Sequence, residues 1–398
     1  LTSSRMEIVA QEEKSSPLLT LLALGNFVVG MGVFVVIGIV SPIAEALAVS
    51  KADAGIVVTG YAIAYALLSP IGAALTGRLP RRTVLAGALG LFCMGTLLSA
   101  VSTTLTMLAL SRLIVALGAA LYTPLSAGVA VAVAPAAERG RALAKVFAGM
   151  TMAQVIGVPL GAWMAYRFGW HAPFFLVAAL AALCAVVLLR FIPPNIHVPA
   201  GNVASIISAL GNLKLMVAVT FTATLMTSVY IMFTFFGPIV EASTGTEAGL
   251  LPVYFVLFGL GAVGGNIMGG YLSDRFGALK TLVLVCLAQM AMLPLFGVMP
   301  WNPWLLAGIV MLWSSFAWCF MPPQQLRLVT IAPSAPALAL ALNAAMSYAG
   351  IAIGSAVGAG LLDWKGLPVL GLAAGISAGV ALVHLLLSEL LARRGSAP

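Results

Sequence analysis

Twelve long runs of mostly apolar residues fill this chain, and short polar connections separate them. Roughly 20 such residues make a helix that crosses the hydrocarbon core of a bilayer. Lipid offers the backbone N–H and C=O groups no partner, so each run must be a helix. The runs are read at 18–44, 54–77, 82–101, 105–134, 142–167, 172–192, 213–240, 248–273, 279–299, 303–330, 336–362 and 366–391. Composition points the same way, with 62% of the 398 residues hydrophobic and 8% charged. A soluble domain carries roughly 25% charged residues. The fold class is therefore an all-α integral membrane protein.

Lys and Arg orient the spans. With the N-terminus inside, cytoplasmic segments hold fifteen of them, from Arg5 and Lys14 through Arg78, Arg81, Arg82 and Arg327 to Arg393 and Arg394. The other side holds Lys51, Arg167 and Lys365. This bias places both termini in the cytoplasm of a multi-pass protein. Residues 1–17 form a cytoplasmic tail, in which Met6 reads as the native start. Residues 18–192 form an N-terminal six-helix bundle, 193–212 a cytoplasmic linker with a short surface helix over Val203 to Leu210, and 213–398 a C-terminal six-helix bundle. The other loops are too short for a soluble catalytic domain.

The net charge of +8 is not gathered into a basic stripe with aromatics, so no nucleic-acid partner is expected. Cys93, Cys184, Cys286 and Cys319 fall inside apolar runs, away from metal-ligand spacing, and the three histidines are scattered. No metal, cofactor or disulfide framework is expected. Gly259-Leu-Gly261-Ala-Val-Gly264 and Gly375-Ile-Ser377-Ala-Gly379 match soluble-enzyme patterns, but no strand precedes either, so they read as packing faces.

The chain also repeats itself at an offset of 197 residues. Arg78 and Arg275, Gly72 and Gly269, Leu75 and Leu272, Gly157 and Gly354, and Gly161 and Gly358 all correspond. A repeat near half the length predicts two pseudo-symmetric bundles. The stretch Gly270-Tyr-Leu272-Ser273-Asp274-Arg275-Phe-Gly277 follows the eighth span, and its first-half counterpart carries Gly77 where Asp274 stands. Twelve spans with this loop signature resemble the major facilitator superfamily. Arg112 followed by Gly118-Ala119-Ala120 is similar to its fourth-helix pattern. Gly157-Val-Pro159-Leu-Gly161 and Asn343 through Gly354 resemble its twelve-helix bacterial drug, sugar and nucleoside efflux branch, which are drug:proton antiporters.

The resemblance implies a secondary active transporter of the bacterial inner membrane. It would export a small organic solute, of the drug-like, sugar or nucleoside class, by rocker-switch alternating access coupled to protons. The partners would be the solute, the bilayer and protons; a monomer is expected, and enzyme activity is not. Members of the branch often carry an acid in the first helix, where this chain has Val33. No other acid lies near the middle of a span, although a buried carboxylate is the usual intramembrane proton carrier. Asp53 and Glu45, at outer span ends, are the nearest substitutes for coupling. Two other readings stay open: a facilitator of the same fold that ignores protons, and a membrane receptor or enzyme without transport.

Arg112 is the one charge well inside a span, and burying it unpaired costs several kcal/mol. It is expected to attract an anionic group or to bond backbone carbonyls of the first helix near Gly30 and Gly32. The rival readings let it snorkel to the outer surface or pair it with Glu45 or Asp53. Polar and aromatic residues near mid-span complete the candidate cavity: Phe34, Tyr61, Tyr65, Tyr122, Gln154, Tyr230, Phe233, Tyr254, Trp313, Trp318, Asn343 and Tyr348. Asp274 and Arg275, with Arg78 as the first-half counterpart, form a cytoplasmic latch facing the start of the fifth helix near Arg141 and Ala142. A carboxylate there is favoured by the helix N-terminus, and the contact forms only when that side closes. Gly277 supplies the tight turn. Gly157, Pro159 and Gly161 kink and smooth the fifth helix for gating. Pro124 and the Pro322-Pro323 pair are expected to break the fourth and tenth helices.

Overall fold

The described residues of the computed structural model hold twelve helices long and apolar enough to cross a membrane, and the first span begins at Pro17, inside a helix that runs from Thr2 to Gly38. They are α1 (Pro17–Gly38), α2 (Lys51–Ser69), α3 (Arg81–Ala100), α4 (Leu105–Val133), α5 (Arg141–Phe168) and α6 (Ala172–Phe191), then α7 (Leu213–Thr244), α8 (Leu251–Phe276), α9 (Ala278–Gly297), α10 (Pro303–Ile331), α11 (Leu338–Lys365) and α12 (Pro368–Ala392). The structure describes residues 2–76, 79–135, 138–193, 210–244, 250–298, 302–333 and 336–394, and these contain no strand. Gly77, Arg78 and all but the last residue of the expected surface helix Val203 to Leu210 lie outside them. Twelve alternating spans put both ends of the bundle sequence on one face, called here the terminal face. The other is the opposite face.

The two halves pair their helices by one scheme. α1 packs on α5 and α6 as α7 packs on α11 and α12, and α2 packs on α4 as α8 packs on α10. α3 lies on α4 and α6, and α9 lies on α10 and α12. The halves meet where α2 lies on α11 and α5 lies on α8. Those two junctions exchange under the same scheme, which is the packing counterpart of the 197-residue repeat.

Proline acts differently in three helices. α4 runs unbroken from Leu105 to Val133 with Pro124 inside it, so the break expected there is absent. Membrane helices tolerate proline when neighbouring groups satisfy the freed carbonyl. α10 does break, at Cys319 and Phe320, between Pro303–Trp318 and Met321–Ile331, and Pro322-Pro323 then sits in the first turn of the second piece. α5 changes to a π-helical turn over Ala153–Gly157 just ahead of Pro159. The wider turn takes up the missing N–H without ending the helix. A Cβ on Gly157 would strike Met31, and one on Gly161 would strike the Val35 side chain. The small residues therefore let α5 lie against α1.

Gly277 ends α8 with φ 86°, a left-handed backbone that favours glycine, and α9 starts at the next residue. Arg327, counted above among the loop cations, is buried in α10. It donates to the Ser388 hydroxyl at 2.8 Å and lies 3.7 Å from Glu389 on α12.

Candidate functional site

Arg112 enters α4 about two turns after the Thr104 cap, where Thr104 accepts from the Met107 N–H. Its side chain is 1% exposed. Nη2 donates to the Gly32 carbonyl of α1 at 2.6 Å, and the guanidinium lies 5.0 Å from the Tyr61 ring centroid on α2 and 6.0 Å from that of Phe174 on α6. Nε and Nη1 are buried with no hydrogen-bond partner. Neither Glu45 nor Asp53 reaches this cation. Asp53 instead caps α2, accepting from the Ser50 hydroxyl at 2.8 Å while its own N–H donates to Ser50 Oγ at 3.0 Å. Glu45 is exposed.

The guanidinium forms part of a cavity between the two halves. Phe34 and neighbouring valines of α1, Tyr61 with Val57 and Val58 of α2, Tyr230 of α7, and Tyr348 and Ile351 of α11 form the rest of its wall. The void between these atoms is narrow, about 10 Å³, room for a single water-sized group. The Tyr61 and Tyr230 hydroxyls are buried and unpartnered. One turn further toward the terminal face, the Tyr65 ring stacks on Tyr348 with centroids 3.6 Å apart. Phe34, Arg112, Tyr230 and Tyr348 thus converge on one space, with Tyr65 at its edge.

The other candidates lie elsewhere in the two bundles. Tyr122 donates to the Leu22 carbonyl inside the first half at 3.2 Å. Phe233 stacks on Phe258 and borders Trp313, whose indole N–H donates to Gln289 at 2.9 Å. Asn343 accepts from Thr222 at 2.5 Å, and Gln324 donates to Thr222 at 3.0 Å, in a polar knot joining α7, α10 and α11. Tyr254 donates to the Pro303 carbonyl at 3.0 Å. Gln154 is buried in the π-helical turn of α5, with its Oε1 unpartnered. Trp318 is half-buried at the end of the first piece of α10.

Glu241 is a residue of the site that the sequence did not single out. It lies past the interruption of α7, in Phe236–Thr244. Its carboxylate accepts from Ser41 at 2.7 Å, from Lys51 at 3.3 Å and from the Tyr166 hydroxyl. Three elements of the first half are thereby tied to one side chain of the second, at the opposite face. Nearby, the Ser355 hydroxyl of α11 donates to the Gly55 carbonyl of α2 at 3.2 Å. Span depth carried no signal for this cluster, because its members are distant in sequence.

At the terminal face the arrangement is looser. Asp274 is exposed. Arg275 bonds the Tyr271 hydroxyl of its own helix at 2.8 Å and lies 5.4 Å from the Phe276 ring centroid. Arg141, near the start of α5, faces Glu138 at 3.8 Å.

The chain matches the family model described as Major Facilitator Superfamily over residues 22–337. It is 29% identical over 338 residues to the uncharacterized MFS-type transporter YbcL of Bacillus subtilis (strain 168), covering 85% of this chain and 87% of that protein. It is 28% identical over 378 residues to the inner membrane transport protein YdhP of Escherichia coli (strain K12), covering 94% and 95%. Among solved structures, a bacterial homologue of the human lysosomal transporter Spinster, inward-facing and occupied, superposes with TM-score 0.75 at 17% identity, covering 94% and 96%. The nucleoside transporter NupG superposes with TM-score 0.73 at 14% identity, covering 93% and 98%. At these identities the structural likeness speaks for the fold.

Proposed function

The chain belongs to the major facilitator superfamily and is a multi-pass membrane transporter rather than an enzyme, and from that premise we propose that it exports a small organic solute across a bacterial inner membrane by alternating access. Both ends of the chain lie in the cytoplasm, so the terminal face is the cytoplasmic one, as the Lys and Arg bias indicates. One monomer carries out the cycle. The two halves rock about the cavity at Arg112, so that it faces the cytoplasm and the exterior in turn.

The observation that carries this reading is the asymmetry of the two gates. At the opposite face Glu241 bridges the halves, while at the terminal face Asp274 is exposed, with no bond to α5 among the described residues. The described state is thus sealed toward the exterior. In the other state the Glu241 bridge parts, and Asp274 moves to the N-terminus of α5, where unpaired N–H groups favour its charge.

Export is coupled to protons in this proposal, with Glu45 the freer of the two candidate carboxylates because Asp53 already caps α2. Gradient-independent facilitation is the second reading, and one observation favours it: among the described residues no carboxylate belongs to the cavity wall. A thermal-shift screen over drug-like compounds, sugars and nucleosides, followed by proteoliposome flux of the stabilising compound, tests both readings. Flux driven by an imposed pH gradient supports coupling. Flux indifferent to the gradient eliminates it, and the absence of counterflow for a bound ligand eliminates transport.

A further inference from the structure

We propose that the ligand of the central cavity is an organic monoanion, with an apolar body and a single carboxylate or similar oxyanion held at Arg112. This rests on the transport reading, since it assigns the solute of the same cavity.

The wall supplies hydrogen-bond donors and lacks a countercharge. Among the described residues Arg112 is its one charged member, and only Nη2 has a partner, the neutral Gly32 carbonyl. Guanidinium carries five N–H donors in a fixed fork. Those on Nε and Nη1 are buried and unanswered. The Tyr61 and Tyr230 hydroxyls, on the same wall and from different halves, are likewise buried without partners. Leaving buried donors unmet is costly, and more so when they are charged. One acceptor-rich group answers them together.

Two acids of the outer helix ends are engaged with other partners. Asp53 is bound to Ser50, and Glu241 to Ser41, Lys51 and Tyr166. A cationic ligand would face Arg112 with no wall carboxylate to offset it. A neutral ligand would leave the guanidinium charge uncompensated. An inorganic anion would satisfy the charge but would leave Phe34, Val57 and Ile351 without contacts. The enclosed void is only about 10 Å³ in the described state, so a ligand enters as the halves part, and Phe34, Val57 and Ile351 then meet its apolar body.

The test uses benzoate and octanoate as probes, with benzyl alcohol and benzylamine as neutral and cationic isosteres of benzoate. Binding is read by isothermal titration of the intact purified protein, and counterflow is read in proteoliposomes. The expected result is at least tenfold tighter binding of benzoate or octanoate than of either isostere. Arg112→Lys is expected to keep part of that preference, and Arg112→Gln to abolish it at an unchanged melting temperature. Tyr230→Phe, which removes only a hydroxyl, is expected to weaken benzoate several-fold and leave benzyl alcohol unchanged. Equal or tighter binding of benzylamine or benzyl alcohol overturns the inference, as does failure of both anions to bind. Selective anion binding without counterflow would overturn transport and leave the monoanion site standing. Counterflow of an isostere with no anion preference would do the reverse.

Discussion

The Tyr166 hydroxyl donates to the Glu241 carboxylate although the two residues belong to different halves of the molecule, 75 positions apart. Ser41 and Lys51 meet the same carboxylate. One acid near the end of α7 therefore holds three elements of the first half, and its loss loosens all three contacts together.

Glu241→Ala is expected to favour opening at the opposite face. The Lys51 side chain is 39% exposed, so its ion pair contributes only about 0–1 kcal/mol. Hydrogen bonds from Ser41 and Tyr166 to a charged acceptor contribute about 1.5–3 kcal/mol each. The open population is then expected to rise tenfold or more, and Glu241→Gln, which keeps an acceptor, is expected to shift it less. Labelling of Val57→Cys by a membrane-impermeant thiol reagent, with the four native cysteines replaced, reads this directly. Identical labelling in all three proteins would remove the gate role from Glu241.

Asp274→Asn is expected to act in the reverse direction. Asp274 is exposed in the described state, so its removal changes the stability of that state by less than about 0.5 kcal/mol. What it loses is the helix N-terminus contact of the other state, about 0.3–1 kcal/mol in exposed geometry. Labelling at Val57→Cys is expected to fall two- to fivefold in the Asp274→Asn background. Unchanged labelling with a lower melting temperature would make Asp274 a structural residue of the α8–α9 turn.

Twelve spans, their order and the twofold pairing were legible because lipid turns hydropathy into helix position. Ten of the observed spans lie within four residues of their expected runs, while the first ends early at Gly38 and the second at Ser69. Depth within a span was less informative about the cavity. Tyr230 and Tyr122 both lie near mid-span, yet one faces the space between the halves and the other bonds Leu22 inside a bundle. Which side of a helix faces the other half depends on rotation about its axis. That rotation is set by packing, and an almost uniformly apolar helix carries little record of it. Pro124 illustrates the same limit: proline marks where a helix can break, and neighbours decide whether it does.

Gly161→Val is expected to destabilise the protein by about 1–3 kcal/mol, the usual cost of forcing extra atoms into a packed interior. The first added atom already strikes Val35 of α1, with Pro173 of α6 close behind it. Gly264→Ala, on α8 where nothing lies within 4 Å, is the matched control and is expected to be neutral. Melting temperatures in detergent separate the two. Equal effects would mean that α5 and α1 slide apart to admit the side chain.

Arg112→Met is expected to abolish flux and leave the melting temperature unchanged or higher. The substitution forfeits one charge-assisted hydrogen bond to the Gly32 carbonyl, about 1.5–3 kcal/mol. Against this stands a cation 1% exposed, whose desolvation costs several kcal/mol and for which no carboxylate compensates. Methionine fills similar space without that cost and still lies against the Tyr61 and Phe174 rings. A group that burdens the fold and sits on the cavity wall is what a binding residue looks like energetically, because the ligand supplies the missing partner. Differential scanning fluorimetry and counterflow on the same preparation decide the matter. A clear loss of melting temperature with flux retained would make Arg112 a strut between α4 and α1.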